Sequence, residues 1–277
     1  MNKRSEIVLK CREAAGRMRR DALAMSLAAG ATGAHLGGGL SMIEIMAVLY
    51  LGVMRCDPHN PLWEDRDRFI LSKGHGVLAY YTALNRAGFV TDQELTTFKS
   101  NDTFLYGHPS MNLPRGIEFS SGSLGLGLSL GVGSALALNR KGNKMSRIFV
   151  LLGDGECNEG SVWEAAASAA HFGLTNLVAI VDKNGLQYDG DTCSVLSMEC
   201  LSTKWESFGW SVLKVDGHDV ADLFDALSTR SDKPMAVIAN TVKGKGVSFM
   251  ENNPAWHHAR LTQAQFELAM AEQGVAP

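Results

Sequence analysis

"LLGDGECNEGSVWE", residues 151–164, sets an aspartate between two glycines where an apolar run stops and a helix begins. A bare carboxylate on so tight a bend needs something to hold, and its neighbours say where it stands. Upstream, "RIFVLL" (147–152) reads as a strand; downstream, "SVWEAAASAAHF" (161–172) reads as a helix closed by Gly173. "NLVAIVD" (176–182) is the next strand, and a helix lies near "KWESFG". Strand "SVLKV" then leads to helix "VADLFDALSTR", and "MAVIAN" (235–240) is the last strand. Continuous apolar runs alternating with helices predict an α/β fold, a mostly parallel sheet flanked by helices on both faces.

Toward the N-terminus the pattern predicts a helix over 5–29, ended by Gly30 and a turn "GATGAHLGGGLS". A second helix, "SMIEIMAVLYLG", has Ser41 as its N-cap. A short strand "FILS" and the turn "KGHG" open the helix "VLAYYTALNRAG", and Thr91 caps "DQELTTFK". An apolar, glycine-rich and buried helix is expected over 123–138, before the regular half. No linker or repeat divides the chain, so one domain is expected over 1–277, with an irregular tail after Lys243.

Composition narrows the function. Hydrophobic residues make up 45% of 277, charged residues 20%, and the net charge is −3, an ordinary globular balance. No basic excess points to nucleic acid or an anionic membrane. The five cysteines form no CxxC pair, which reads as reduced thiols in a cytoplasmic protein. The charged N-terminus lacks the apolar core of a signal peptide, and 123–138 is too short to span a bilayer.

Ligands of open α/β sheets gather at the carboxyl ends of strands. Asp154 follows "FVLLG" and Asn184 follows "LVAIVDK", thirty positions on, one strand–helix–strand unit. The spacing brings a carboxylate and an amide carbonyl to neighbouring strand ends, the oxygen donors that Mg²⁺ or Ca²⁺ prefers. Flanking glycines let a diphosphate approach the backbone, and the following helix adds its positive end. Alone, each residue reads as a turn former; together they favour a metal–diphosphate site. The glycine spacing in 122–133 follows no strand, so a dinucleotide loop is the weaker reading.

Of eight histidines, those in "GAHLGG", "KGHG", "YGHPS" and "AWHHAR" sit in turns, where an imidazole can enter a cleft. His59 and His171 read as surface residues, and His218 is open. A zinc site is the alternative use, but the spacings that would support one are missing.

"GDG", about thirty residues and an Asn at the next strand end resembles the thiamine-diphosphate signature. The segments "GDGECNEGSVWEAAASAAHFGLTNLVAIVDKNGLQYDG", "DRFILSKGHG", "YGHPS" and "SSGSLGLGLSLGVG" are similar to transketolase, with a resemblance running from Ala14 to His258. It implies the thiamine-diphosphate-binding fold, with Asp154, Asn184 and the Leu186 carbonyl on the cation, Mg²⁺ (or Ca²⁺/Mn²⁺). Gly153, Gly155, Glu156, Ser123, Leu124, Gly125, His75 and His257 would border thiamine diphosphate. His35, His75 and His108 would line the donor-sugar channel, His257 would stand between diphosphate and substrate hydroxyls, and His258 has no matched role. Glu159 would help link paired active sites by facing the partner chain.

Leu126 stands where the family pattern has glutamine, and "HLGG" replaces "HPGG". The resemblance further implies that a C-terminal transketolase subunit supplies the pyrimidine-binding domain, in an α2β2 assembly. On that reading the chain alone is inactive and packs the helix over 122–138 on its partner. The activity implied is transfer of a two-carbon ketol unit from a ketose (phosphate) to an aldose (phosphate). A deoxyxylulose-phosphate synthase-like or 2-oxo-acid dehydrogenase α-like subunit, or a regulatory module, are the alternatives.

Overall fold

A computed structural model describes residues 2–274. Five parallel strands lie in the order β1 (Arg68–Leu71), β2 (Ile148–Gly153), β3 (Leu177–Lys183), β7 (Met235–Asn240) and β6 (Ser211–Asp216). Side chains alternate across each strand. Phe69, Leu71, Phe149, Leu151, Ile180 and Val237 enter one core, with helices α1 (Lys3–Ala28), α3 (Ile43–Val48), α4 (Val77–Arg86) and α10 (Val220–Ser228). Ile70, Ile148, Val150, Leu152, Ala179 and Ile238 enter the other, with α6 (Gly127–Arg140), α7 (Gly160–His171) and α9 (Leu201–Ser207). The expected parallel sheet with helices on both faces is therefore present. Among the described residues no helix is long and apolar enough to cross a membrane.

Three local expectations change. Ser41 caps no helix start; "LGGGL" is itself the short helix α2 (Leu36–Leu40), and Ser41 closes it. Its hydroxyl donates to Asp182 Oδ2 at 2.6 Å, a contact across 141 positions that replaces the local cap. The glycine-rich helix begins at Gly127 and is half-exposed rather than buried: Gly127, Gly131 and Ala135 face the sheet, while Ser129, Gly133 and Ala137 face out. Gly127 permits a close approach, since a Cβ there would lie 2.4 Å from Ser72 Cβ.

The tail after Lys243 is also ordered. Thr262 and Gln265 form a capping box that starts α11 (Gln263–Glu272), which packs on α1. Upstream, Ala34 and Ala259 form a two-bond antiparallel bridge, with N···O distances of 2.9 and 3.1 Å. The tail is thus tied across the mouth of the strand ends.

Candidate active site

Four parallel strands end on the same side, and each contributes a polar residue within three positions of its end. Asp182, near the end of β3, is fully buried and anchors the group. Its carboxylate accepts from Lys73, which follows β1, from Ser41, and from Thr241, which follows β7. Burial alone would raise its pKa; the Lys73 charge and the three donors outweigh that and lower it. Sequence reasoning missed both members of this pair. The only local signal was a lysine and an aspartate at the ends of apolar strands.

Asp154 stands beside it, after β2. Its Oδ2 accepts from Gly185 N at 2.7 Å and its Oδ1 from Gly155 N at 3.0 Å. Burial lifts its pKa from 3.8 to about 6, the Gly185 bond opposes this, and Asp182 adds to the rise. Asn184 Oδ1 faces the same turn and accepts from Leu186 N at 3.1 Å, while the Leu186 carbonyl accepts from Lys243 Nζ at 2.8 Å. A short hairpin, β4 (Leu186–Gln187) and β5 (Gly190–Asp191), holds this segment against the GDG turn. The donor set fits a hard cation: one carboxylate, one amide oxygen and one peptide carbonyl. A buried carboxylate held only by peptide N–H groups is also the kind of charge that a divalent ion would stabilise.

These residues line a cleft of 310 Å³, together with Gly38, Lys73, His75, Leu124, Glu156, Glu159, Gln187, Tyr188, Lys243 and His257. A larger groove of 480 Å³, between α1 and α4, lies on another surface, lined by Arg17, Arg20 and Arg86. Four further sequence candidates have defined places in or beside the cleft. Glu156 is buried, and its carboxylate accepts from Ser72 Oγ (2.5 Å), Gly125 N (2.9 Å) and Gly153 N (3.0 Å). It clamps the β1 end, the 121–126 loop and the GDG turn together, so only its backbone is free to meet a ligand. Gly125 adopts φ +84°, where a Cβ would strike Ser161 and Glu159. Ser123 and Glu159 are exposed at the rim.

The turn histidines converge. The His35 ring lies 5.3 Å from His75, 5.6 Å from His108, 5.5 Å from His257 and 4.5 Å from His258, centroid to centroid. His258, for which the sequence offered no role, is therefore part of the cluster. Burial first, and then neighbouring imidazoles and lysines, push His35 down to about 3 and His257 to about 4. His75 falls well below the ordinary histidine range, for burial and then Lys73. Near neutral pH these three rings are neutral, each able to donate through one nitrogen and accept through the other. Among the described residues no group of His, Cys, Asp and Glu forms a metal-binding set, which disfavours the zinc reading.

Lys243 was also missed, and the role of His218 was open. Lys243 sits between Leu186 O and His257 Nδ1 (3.1 Å), its pKa lowered to about 8 by burial and then by Lys73. His218 accepts from Val242 N at 2.9 Å through Nε2, so its proton lies on Nδ1, 3.0 Å from Glu44 Oε2. It pins the segment that carries Lys243 to α3. The exposed His59 and the helix-end His171 lie outside the cluster, as expected.

The profile "Transketolase, thiamine diphosphate binding domain" matches residues 12–277. One subunit of an apulose-4-phosphate transketolase from Actinobacillus succinogenes is 43% identical over 242 residues, covering 87% of each chain. One subunit of a 6-deoxy-6-sulfo-D-fructose transketolase from Clostridium sp. is 42% identical over 241 residues, covering 86% of this chain and 87% of that relative. The solved transketolase from Leishmania mexicana superposes with a TM-score of 0.87 at 29% identity, over 96% of this chain and 42% of its own. The chain thus spans under half the length of that enzyme. With its strand-end donors, its sheet and these likenesses in agreement, the chain belongs to the transketolase family, as a thiamine-diphosphate-binding domain.

Proposed function

We propose that this chain is the diphosphate-binding subunit of a two-chain transketolase, moving a two-carbon ketol unit from a ketose to an aldose. The observation that carries the reading is a single cleft lined by the oxygen donors Asp154, Asn184 and Leu186 and by His75 and His257, two members of the imidazole cluster. When bound, thiamine diphosphate supplies the electron sink for breaking the ketose carbon–carbon bond.

The chain's own residues divide the remaining work. Asp154, Asn184 and the Leu186 carbonyl hold Mg²⁺ (or Ca²⁺/Mn²⁺). The backbones of Gly153, Gly155 and Glu156, with Ser123, Leu124 and Gly125, border the diphosphate beside His75 and His257. His35, His75 and His108 orient substrate hydroxyls. A cluster of neutral donor–acceptor rings suits a polyol better than a 2-oxo acid, which favours ketol transfer over the dehydrogenase-like alternative.

The word "subunit" in the names of both relatives above supports a separate partner, read here as the C-terminal transketolase subunit in an α2β2 assembly. The exposure of Glu159, at the start of α7, and of the outer face of α6 supports a partner-facing surface there. Both relatives are named for sugars with an anionic group, so sugar phosphates or sulfonates lead the donor candidates.

The test is co-purification of the partner chain, followed by a donor and acceptor screen with thiamine diphosphate and Mg²⁺. Activity that requires both chains supports the proposal. Turnover by the highly purified single chain would overturn the two-chain reading, and failure of every ketose with both chains present would overturn ketol transfer.

A further inference from the structure

The loop that leaves β7 carries Lys243 to the cleft, and its backbone is held on both sides of that residue. On one side the Val242 N–H donates to His218 Nε2 at 2.9 Å. On the other the Lys245 carbonyl accepts from Arg19 Nε at 3.0 Å. The two holders come from different elements, His218 from the turn after β6 and Arg19 from α1, yet both end on one carboxylate. Glu44, on α3, accepts from Arg19 Nη2 through Oε1 at 2.5 Å and from His218 Nδ1 through Oε2 at 3.0 Å. Gly246, at φ +88°, lets the loop lie against the Arg19 stem, since a Cβ there would stand 2.6 Å from Arg19 Cδ.

Glu44 and Arg19 are both buried. Burial alone would raise the Glu44 pKa; the bonds from His218 and Arg19 outweigh that and lower it, so the carboxylate is charged at neutral pH. What this arrangement holds in place is an ammonium with two bonds made. Lys243 Nζ donates to Leu186 O at 2.8 Å and to His257 Nδ1 at 3.1 Å. A lysine only donates, so the His257 proton lies on Nε2, and one N–H of the ammonium remains for a ligand. Lys243 lines the same cleft as Asp154 and Glu156. The tip of a flexible four-carbon stem is placed only as well as the backbone at its root.

We propose that Glu44, through its two arms His218 and Arg19, is a clamp that positions Lys243 for the diphosphate end of the cofactor. It fixes the loop over 242–245 from both sides, so the ammonium is set before the ligand arrives and little freedom is lost on binding. All three are positioning residues, acting through Lys243. The clamp rests on the thiamine-diphosphate reading only for what the cleft holds.

His218 lets one arm be opened while the buried Arg19–Glu44 pair stays. Asparagine puts its amide where Nδ1 stands, keeping the bond to Glu44 but falling short of Val242. Glutamine puts its amide where Nε2 stands and keeps an acceptor for Val242. In the full chain, deuterium exchange of the Val242 amide should quicken about tenfold in His218→Asn and stay within about twofold of wild type in His218→Gln. Calorimetry in Mg²⁺ should show thiamine-diphosphate affinity about tenfold weaker in His218→Asn and held in His218→Gln. Equal losses in the two variants at equal urea midpoints would overturn the clamp. So would wild-type affinity in His218→Asn once Val242 exchange has quickened.

Glu44→Gln, which removes the charge shared by both arms, should weaken cofactor affinity at least as much as His218→Asn, and unchanged affinity would also overturn the proposal. In the two-chain enzyme, His218→Asn should raise the KM for thiamine diphosphate about tenfold and leave kcat at saturating cofactor unchanged. A fall in kcat with KM unchanged would place His218 in the chemical step and overturn the positioning role. If the affinities follow this pattern while no ketose is turned over, the ketol-transfer reading falls and the clamp stands.

Discussion

Asp154 carries its charge at a cost to the folded chain. A carboxylate lifted from 3.8 to about 6 by burial disfavours the native state by about 3 kcal/mol once ionised. The sign follows: the cost is absent below pH 4, grows as pH rises through 6, and is full above it. Asp154→Asn should therefore raise cation-free stability at pH 8 by about 1–2 kcal/mol, one charge-assisted bond being weakened, and give no gain at pH 4. Urea titrations at the two pH values check this. The same variant should lose Mg²⁺-dependent thiamine-diphosphate affinity by more than about a hundredfold, because even residues behind a metal ligand are worth about 10–100-fold. Calorimetry reads that loss. Wild-type affinity would remove Asp154 from the metal site.

The histidines give the opposite pH dependence. His35 and His257 stay neutral in the native chain down to about 3 and about 4, while an unfolded histidine takes a proton near pH 6.5. Between those values the unfolded state binds more protons, so stability falls as pH drops from 6.5 toward 4. His35→Ala should flatten that slope, as read by denaturation midpoints from pH 7 to pH 4. Asp154, Asn184 and the turn histidines were legible because strand ends and glycine turns are local patterns. Lys73, Asp182 and Lys243 were not. Lys73 acquires its meaning from a partner 109 positions away.

At the scale of elements, α6 shows what local pattern leaves out. Its apolar run marks a helix, yet the start is fixed by contact with Ser72, the residue that follows β1, and not by a cap in its own sequence. Gly127→Ala forces a Cβ into Ser72, and such overpacking costs about 1–3 kcal/mol. Ser72 also holds Glu156, the clamp on the GDG turn, so the same variant should weaken cofactor binding along with stability. Paired thermal melts and cofactor titrations test this. Stability lost with full cofactor affinity would show that the clamp does not transmit. Ser41 makes the same point in reverse, as a good local cap drawn away by a buried aspartate.

Across the whole molecule, Lys73 and Asp182 join the ends of β1 and β3, with α2 and the β7 exit added through Ser41 and Thr241. Lys73→Met leaves a buried carboxylate without its charge partner, a change worth about 3–5 kcal/mol. It should unfold the chain at distinctly lower denaturant, while Lys73→Arg should recover part of the loss. The parallel sheet was readable from alternation alone; the ordered tail was not, because α11 is fixed by α1, over two hundred positions earlier.

The Ala34–Ala259 bridge adds a matter of timing. A chain made from its N-terminus completes every strand of the sheet before residue 259 exists. The metal-side donors can therefore take shape while the sugar side still lacks His257 and His258. Two backbone bonds at a rim also open more readily than a central strand. The amides of Ala34 and Ala259 should exchange with deuterium well before those of β3. On the proposed function, the molecule would then pass repeatedly through a form with its metal-side donors in place and its His257–His258 segment released, a way out for product.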